Sequence, residues 1–171
     1  MDSVSDEIDT WLAQMIDVDP EVEAARQRIG RLSRTFVRVL ESVAAAESVT
    51  VGDLETLSVI RRLGGTALPG QISMALHLTS GTVSTRLRRL EVAGLVQPGP
   101  PDPADGRVRQ TQLTPRGLQV WTSGTARRTT REAELFGDLD LPQLHALNAA
   151  LSTLLERFER ELGAVSRHDR T

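Results

Sequence analysis

Cysteine is absent from the 171 residues, which excludes a disulfide, a thiolate redox switch and any Cys-ligated metal site. Lysine is absent as well. All 20 basic residues are arginine, so any phosphate contact would come from a guanidinium fork able to pair bidentately. A GC-rich coding bias accounts for that usage more readily than function does. Tyrosine is missing, aromatics make up 3% of the chain, and neither Trp nor Tyr occurs between residues 66 and 113, so base stacking on single strands is not the design there. There is no run of about 18 apolar residues and no charged-then-apolar leader, so the expectation is a cytoplasmic protein without a membrane partner. His77, His145 and His168 are far apart and none has a second ligand at helical spacing, so neither a metal nor another cofactor is expected.

What is present is a globular composition, 39% hydrophobic and 25% charged, sufficient for one core or for a small domain with helical arms. The net charge of −3 conceals an asymmetry. Residues 1–25 carry eight acids (Asp2, Asp6, Glu7, Asp9, Asp17, Asp19, Glu21, Glu23) and no base. Residues 66–131 carry nine Arg against Glu91, Asp102 and Asp105. A basic segment inside an acidic chain is a local electrostatic footprint for a polyanion, although any single Arg is equally a solvated helix face.

Apolar spacing and caps divide the chain. Ile8, Trp11, Leu12, Met15 and Ile16 form a short amphipathic stretch. Asp19-Pro20 opens a helix of about seven turns, with Val22, Ala25, Ile29, Leu32, Phe36, Val39, Leu40 and Val43 on its stripe. Leu54, Leu57, Ile60 and Leu63 mark a shorter helix stopped at Gly64-Gly65. Residues 66–68 read as a short strand, Pro69–Leu76 as a helix, and 80–93 as a helix capped by Thr79 and ended at Gly94. Residues 95–97 read as a strand, 98–106 (PGPPDPADG) as a loop and 107–113 as a returning strand. Thr114-Pro115 opens a helix to about Phe136, weak in propensity through Thr122, Ser123, Gly124 and Thr125. Asp140-Leu141-Pro142 starts a last one, with Leu144, Leu147, Leu151, Leu154, Leu155, Phe158 and Leu162 on one face. The fold class expected is mainly α, an α+β chain with a small β-wing: a winged helix-turn-helix with N- and C-terminal dimerisation helices. Residues 1–48 and 115–163 would be the dimerisation arms, 49–114 the central lobe and 164–171 a flexible tail. The arms have more apolar stripe than so small a lobe can cover, which points to a second copy of the chain; packing within one chain is the rival.

On the wheel of 80–93, Val83, Leu87 and Leu90 cluster toward a core, and Gly81, Ser84, Thr85, Arg88 and Arg89 lie opposite on an acid-free face. Short hydroxyls beside long guanidinium forks suit the major groove of duplex DNA. Thr82 is in the first turn, and Arg86, on the shoulder, is assigned to flanking phosphate. In the loop, Asp105 stands two residues from Arg107 across Gly106. A carboxylate there would hold the Arg107 guanidinium outward toward a minor groove, with Arg109 meeting backbone beside it. A solvated turn is the plainer reading.

The succession LTSGTVSTRLRRLEVAGLV, PDPADGR and LTPRG, within residues 77–117, resembles the MarR family of bacterial transcriptional regulators. The resemblance implies a triangular homodimer on a pseudo-palindromic operator. Ser84, Thr85 and Arg86 would fall in the base- and backbone-contacting part of the recognition helix, Arg107 on the wing-tip Arg, and Asp105 on the Asp that orients it. Gly106 stands where the family usually has a second wing Arg, and Arg88 where an acid is common. The resemblance also implies a small aromatic or anionic effector. Trp11, Arg61, Arg62, His77 and Trp121 are the residues available for it, although each reads more readily as core or surface.

The expectation is therefore a homodimeric, sequence-specific double-stranded DNA-binding regulator, a repressor relieved by a non-thiol effector. The alternative is a winged-helix protein-interaction module that has lost specific DNA binding, for which the acidic N-terminus and Gly106 speak. An enzyme is not expected: no Ser/His/Asp set, phosphate loop, paired catalytic carboxylates or metal cluster is legible.

Overall fold

The computed structural model describes residues 1–163; the expected tail at 164–171 lies outside the described residues. Contacts divide the chain into two units, residues 1–42 and 43 onward.

The N-terminal unit holds α1 (Ile8–Leu12) and most of α2 (Pro20–Ala46). Asp19 starts α2 as read from sequence: its carboxylate accepts the N–H groups of Glu21 (2.9 Å) and Val22 (3.2 Å). The first stretch is shorter than its apolar spacing implied. It ends at Leu12, Asp17 takes φ +54°, and Ile16 is 89% exposed rather than part of a stripe. Arg28 pairs with Asp2, and Arg31 with Glu7, across to α2, while Val4 is buried.

The second unit includes α3 (Val51–Arg62), which begins three residues before the marker Leu54 and is capped by Thr50. There the Thr50 hydroxyl accepts the Asp53 N–H at 3.1 Å while the Asp53 carboxylate accepts the Thr50 N–H at 3.0 Å. This reciprocal cap satisfies two otherwise orphaned donors. A turn with Gly64 and Gly65 at φ +90° and +94° leads into β1 (Thr66–Ala67). After α4 (Pro69–Leu76), His77 at φ +49° turns the chain toward Thr79. The Thr79 hydroxyl accepts the Thr82 N–H and caps α5 (Ser80–Val92).

The sheet is antiparallel in the order β1-β3-β2, with β2 at Val96–Pro101 and β3 at Arg109–Leu113. Two strand expectations are corrected. Residues 98–101 are strand rather than loop, and the return strand starts at Arg109, leaving Arg107 and Val108 in the turn. Prolines are tolerated because β2 lies at the edge, where a missing N–H costs no ladder bond. Register slips by one residue between Pro98↔Thr111 and Pro101↔Arg109, a bulge that bends the strand.

Leu57, Ile60, Ile72, Val83, Leu90, Leu95 and Val96 form the core of this lobe, each at most 3% exposed, with Leu87 packed against it. Thr114 caps α6 (Pro115–Leu135), accepting the Gly117 N–H at 3.0 Å and donating its hydroxyl to the Gly94 carbonyl at 2.7 Å. Asp140 and Gln143 cap α7 (Leu141–Leu162) reciprocally. α7 buries none of its residues: Leu151, Leu154, Leu155, Phe158 and Leu162 are all 40% exposed or more. No helix of the described residues is long and apolar enough to cross a membrane.

Candidate nucleic-acid interface

α3, α4 and α5 make three short helices around one core, and the β2–β3 hairpin follows directly. The core contacts of Val83 and Leu90 fix the rotation of α5 and turn Gly81, Thr82, Ser84, Thr85, Arg88 and Arg89 outward, all exposed. The first turn of α5 is tied by hydroxyls. Thr79 and Thr82 share a 2.9 Å hydrogen bond, and Thr85 donates to the Gly81 carbonyl at 3.0 Å. An open concavity of about 720 Å³ lies there, lined by Thr50, Gly52, Thr79, Gly81, Thr82, Thr85, Arg86 and Arg89. Two helices, α3 and α5, start beside it, Thr50, Gly52, Thr79 and Gly81 being among its lining residues.

The three arginines of α5 are not equivalent. Arg89 donates Nη2 to Asp53 at 2.6 Å and Nε to both carboxylate oxygens at 3.1 and 3.2 Å. Asp53 is 3% exposed. Burial pushes its carboxyl up, but Arg89 together with the Thr50 N–H and hydroxyl outweighs that and holds it below the ordinary value of 3.8. Arg86 donates Nη1 to the Gly52 carbonyl at 3.2 Å and lies 3.7 Å from Glu55, with its side chain 21% exposed. Arg88 is exposed and has no hydrogen bond or ion pair among the described residues. The face that reads as acid-free along α5 thus meets an acid from α3, some 36 residues away in sequence. No spacing rule in the sequence links Asp53 to Arg89. The S/T-x-x-D cap signature at Thr50 was the one available signal.

The wing turn is held by its aspartates. Asp102 and Asp105 accept the N–H groups of Ala104 (3.1 Å) and Arg107 (3.0 Å), and Val108 donates to the Asp105 carbonyl at 2.9 Å. This corrects the expected pairing: the Asp105 carboxylate holds the Arg107 backbone, and no ion pair joins it to the Arg107 guanidinium among the described residues. A side chain two residues on across a turn meets the N–H first, which is the Asx-turn geometry. Arg107 and Arg109 are exposed, and Gly106 has open space around it.

Of the residues considered for an effector, Arg61 and Trp121 are in contact. Arg61 lies over the Trp121 ring at 5.5 Å, and Trp121 Nε1 donates to Ser58 at 3.1 Å. Arg62 ends α3 and His77 is the left-handed cap of α4. Trp11 belongs to the N-terminal unit, beside a cavity of about 260 Å³ that Arg26, Arg31 and Arg34 also line.

Comparison with known proteins agrees with this architecture. Residues 49–108 match the sequence model of the MarR family. The HTH-type transcriptional regulator PecS of Dickeya dadantii is 27% identical over 161 residues, covering 93% of this chain and 94% of PecS. A crystal structure of a MarR family transcription regulator superposes with a TM-score of 0.72 at 24% identity, over 94% of this chain and 97% of that one. A cysteine-to-serine mutant of MarR from E. coli, complexed with operator DNA, superposes with a TM-score of 0.62 at 21% identity, over 82% of this chain and 99% of that one. Core, caps, hairpin and sequence agree in making residues 49–108 similar to the winged helix-turn-helix of the MarR family.

Proposed function

We propose that the chain is a homodimeric, sequence-specific double-stranded DNA-binding transcriptional regulator, acting as a repressor. The observation that carries this reading is the outward face of α5, where Ser84, Thr85 and Arg88 stand exposed on a helix whose other face is locked in the core. Such a helix fits a major groove, with hydroxyls and a guanidinium at base-edge height. Gly81, Thr82, Arg86 and Arg89 border the groove, and Asp105 shapes the wing that carries Arg107 and Arg109 to the flanking backbone. The E. coli MarR complex with operator DNA supports the same assignment by analogy of fold.

Dimerisation is supported by α7, which presents Leu151, Leu154, Leu155, Phe158 and Leu162 to solvent in a single chain. A continuous apolar face of this size is covered in a stable protein, and a second copy supplies an identical face. Residues 1–48 and 115–163 then serve as the arms and 49–114 as the DNA lobe, so two lobes address half-sites about one helical turn apart. Release by a small aromatic or anionic effector belongs to this proposal, Trp11 and the Arg61–Trp121 pair being the aromatic groups available.

The test is fluorescence anisotropy of the purified chain on DNA from its own upstream region, at two salt concentrations with excess competitor. Tight, competitor-resistant binding is expected. Binding that competitor abolishes, followed by a genome-wide pull-down that enriches no fragment, would favour the protein-interaction module.

A further inference from the structure

The three arginines of α5 divide into two that set the helix and one that reads. We infer that Arg88 alone makes the guanine-selecting contact of each half-site, while Arg86 and Arg89 position the helix by clamping it to the start of α3. The inference rests on the DNA-binding reading above and names which base that site selects and by which side chain.

Arg89 is committed to Asp53 through three hydrogen bonds, at 2.6, 3.1 and 3.2 Å, and the carboxylate it neutralises is 3% exposed. Turning that guanidinium into a groove would leave a buried charge with only its Thr50 cap. Arg86 is held differently, by one hydrogen bond and by packing. Its guanidinium fills the space above Gly52, where a Cβ would lie 2.7 Å from Cζ, and it bonds the Gly52 carbonyl with Glu55 beside it. Both clamps reach the same N-terminal turn of α3, at Gly52 and Asp53, so together they fix the tilt of α5 against the lobe.

Arg88 has neither constraint. It is exposed, unpaired among the described residues, and shares its face with Ser84 one turn before it and Thr85 three residues before it. Its five donors are available in a planar fork, and the base edge that matches such a fork is guanine O6 and N7. Arg107 and Arg109, on the hairpin, are left to the backbone and the minor groove.

The experiment begins by selecting a preferred duplex for the unmodified chain from a random library. Anisotropy then measures affinity for that duplex and for every single-base-pair change in it, with thermal melts confirming that each variant is folded. For Arg88→Ala, discrimination at one symmetric G·C position per half-site falls from about tenfold or more to about twofold or less, and stays intact elsewhere. Arg88→Gln shifts the preference at that position from guanine toward adenine. Arg89→Ala and Asp53→Asn weaken all duplexes by a common factor with discrimination preserved, and Arg89→Lys recovers part of the loss. Uniform weakening by Arg88→Ala, or a loss of guanine discrimination in Arg89→Ala instead, overturns the inference. A library that yields no preferred duplex overturns the DNA-binding reading and this inference with it, before any variant is made.

Discussion

Gly117, at the first turn of α6, packs so closely on Leu95 that one added methyl decides the sign of a stability change. A Cβ built there meets the Leu95 carbonyl oxygen at 1.9 Å, its carbon at 2.9 Å and its Cα at 3.3 Å. The first distance falls about 1.1 Å short of the 3.0 Å that Cβ atoms essentially never breach. The obstacle is main chain, not the end of a flexible side chain. Relief therefore has to move either α6 or the segment entering β2. That segment is tethered, because Leu95 is 2% exposed and its carbonyl also accepts the Thr114 N–H at 3.1 Å. Overpacking of this kind costs about 1–3 kcal/mol, and a backbone clash this deep belongs at about 3 kcal/mol. Helix propensity alone pushes the other way, since Gly→Ala in a helix gains up to about 1 kcal/mol. Net of that gain the cost is about 2 kcal/mol, so Gly117→Ala should lower the melting temperature by about 4–8 °C for a chain of this size. Gly106→Ala, with nothing within 4 Å of the new methyl, stays within about 0.5 kcal/mol of wild type. The assay is calorimetry at one fixed protein concentration, because a dimer makes the midpoint concentration-dependent. A Gly117→Ala variant melting at or above wild type would refute the argument.

Other consequences can be checked in the same preparations. Asp53→Asn removes the charge that pairs Arg89, and a loss of about 1–3 kcal/mol is expected in denaturant titrations. Because the folded Asp53 carboxyl is held below its ordinary 3.8, its contribution is complete above that pH and disappears as pH falls through the lower folded value. Wild type and Asp53→Asn should thus converge in stability in strong acid; a gap that persists there assigns the loss to something other than the carboxylate. Leu155→Glu places a charge on a residue already 55% exposed, so it should leave a single chain folded while halving the mass found by sedimentation. An unchanged mass would move the dimer interface off that face. Arg107→Ala should weaken binding to operator DNA and reduce the slope of affinity against salt by about one phosphate; an unaltered slope places the wing tip away from the backbone.

Local chemistry made much of this fold legible. Thr79, Thr114-Pro115 and Asp140 announce helix starts because a side-chain oxygen is the cheapest partner for an orphaned N–H, and each accepts the bond its position implies. Val83 and Leu90 gave the rotation of α5 by period alone. What the sequence did not display is what distance along the chain conceals. Asp53 and Arg89 lie 36 residues apart, and Arg61 meets Trp121 across 60, so no pattern rule couples either pair. The run of prolines after Gln97 reads as loop unless the strand is known to lie at an edge, and edge position is a property of the sheet. The Asp105 carboxylate had two partners within reach, and only the folded turn decides between the N–H and the guanidinium of Arg107.

The edge placement of β2 also bears on the crowding that the proposed DNA-binding role would bring. A bare edge strand is a template onto which another hairpin can add, and copies gathered on neighbouring sites of one DNA molecule would hold their wings close together. Three prolines in β2, Pro98, Pro100 and Pro101, thin its N–H donors, and the bulge between Pro98 and Pro101 twists the strand. The opposite edge, β1, is two residues long. The sheet is therefore closed to growth on both sides, and the residues that made the wing hard to recognise as a strand keep neighbouring molecules from polymerising through it.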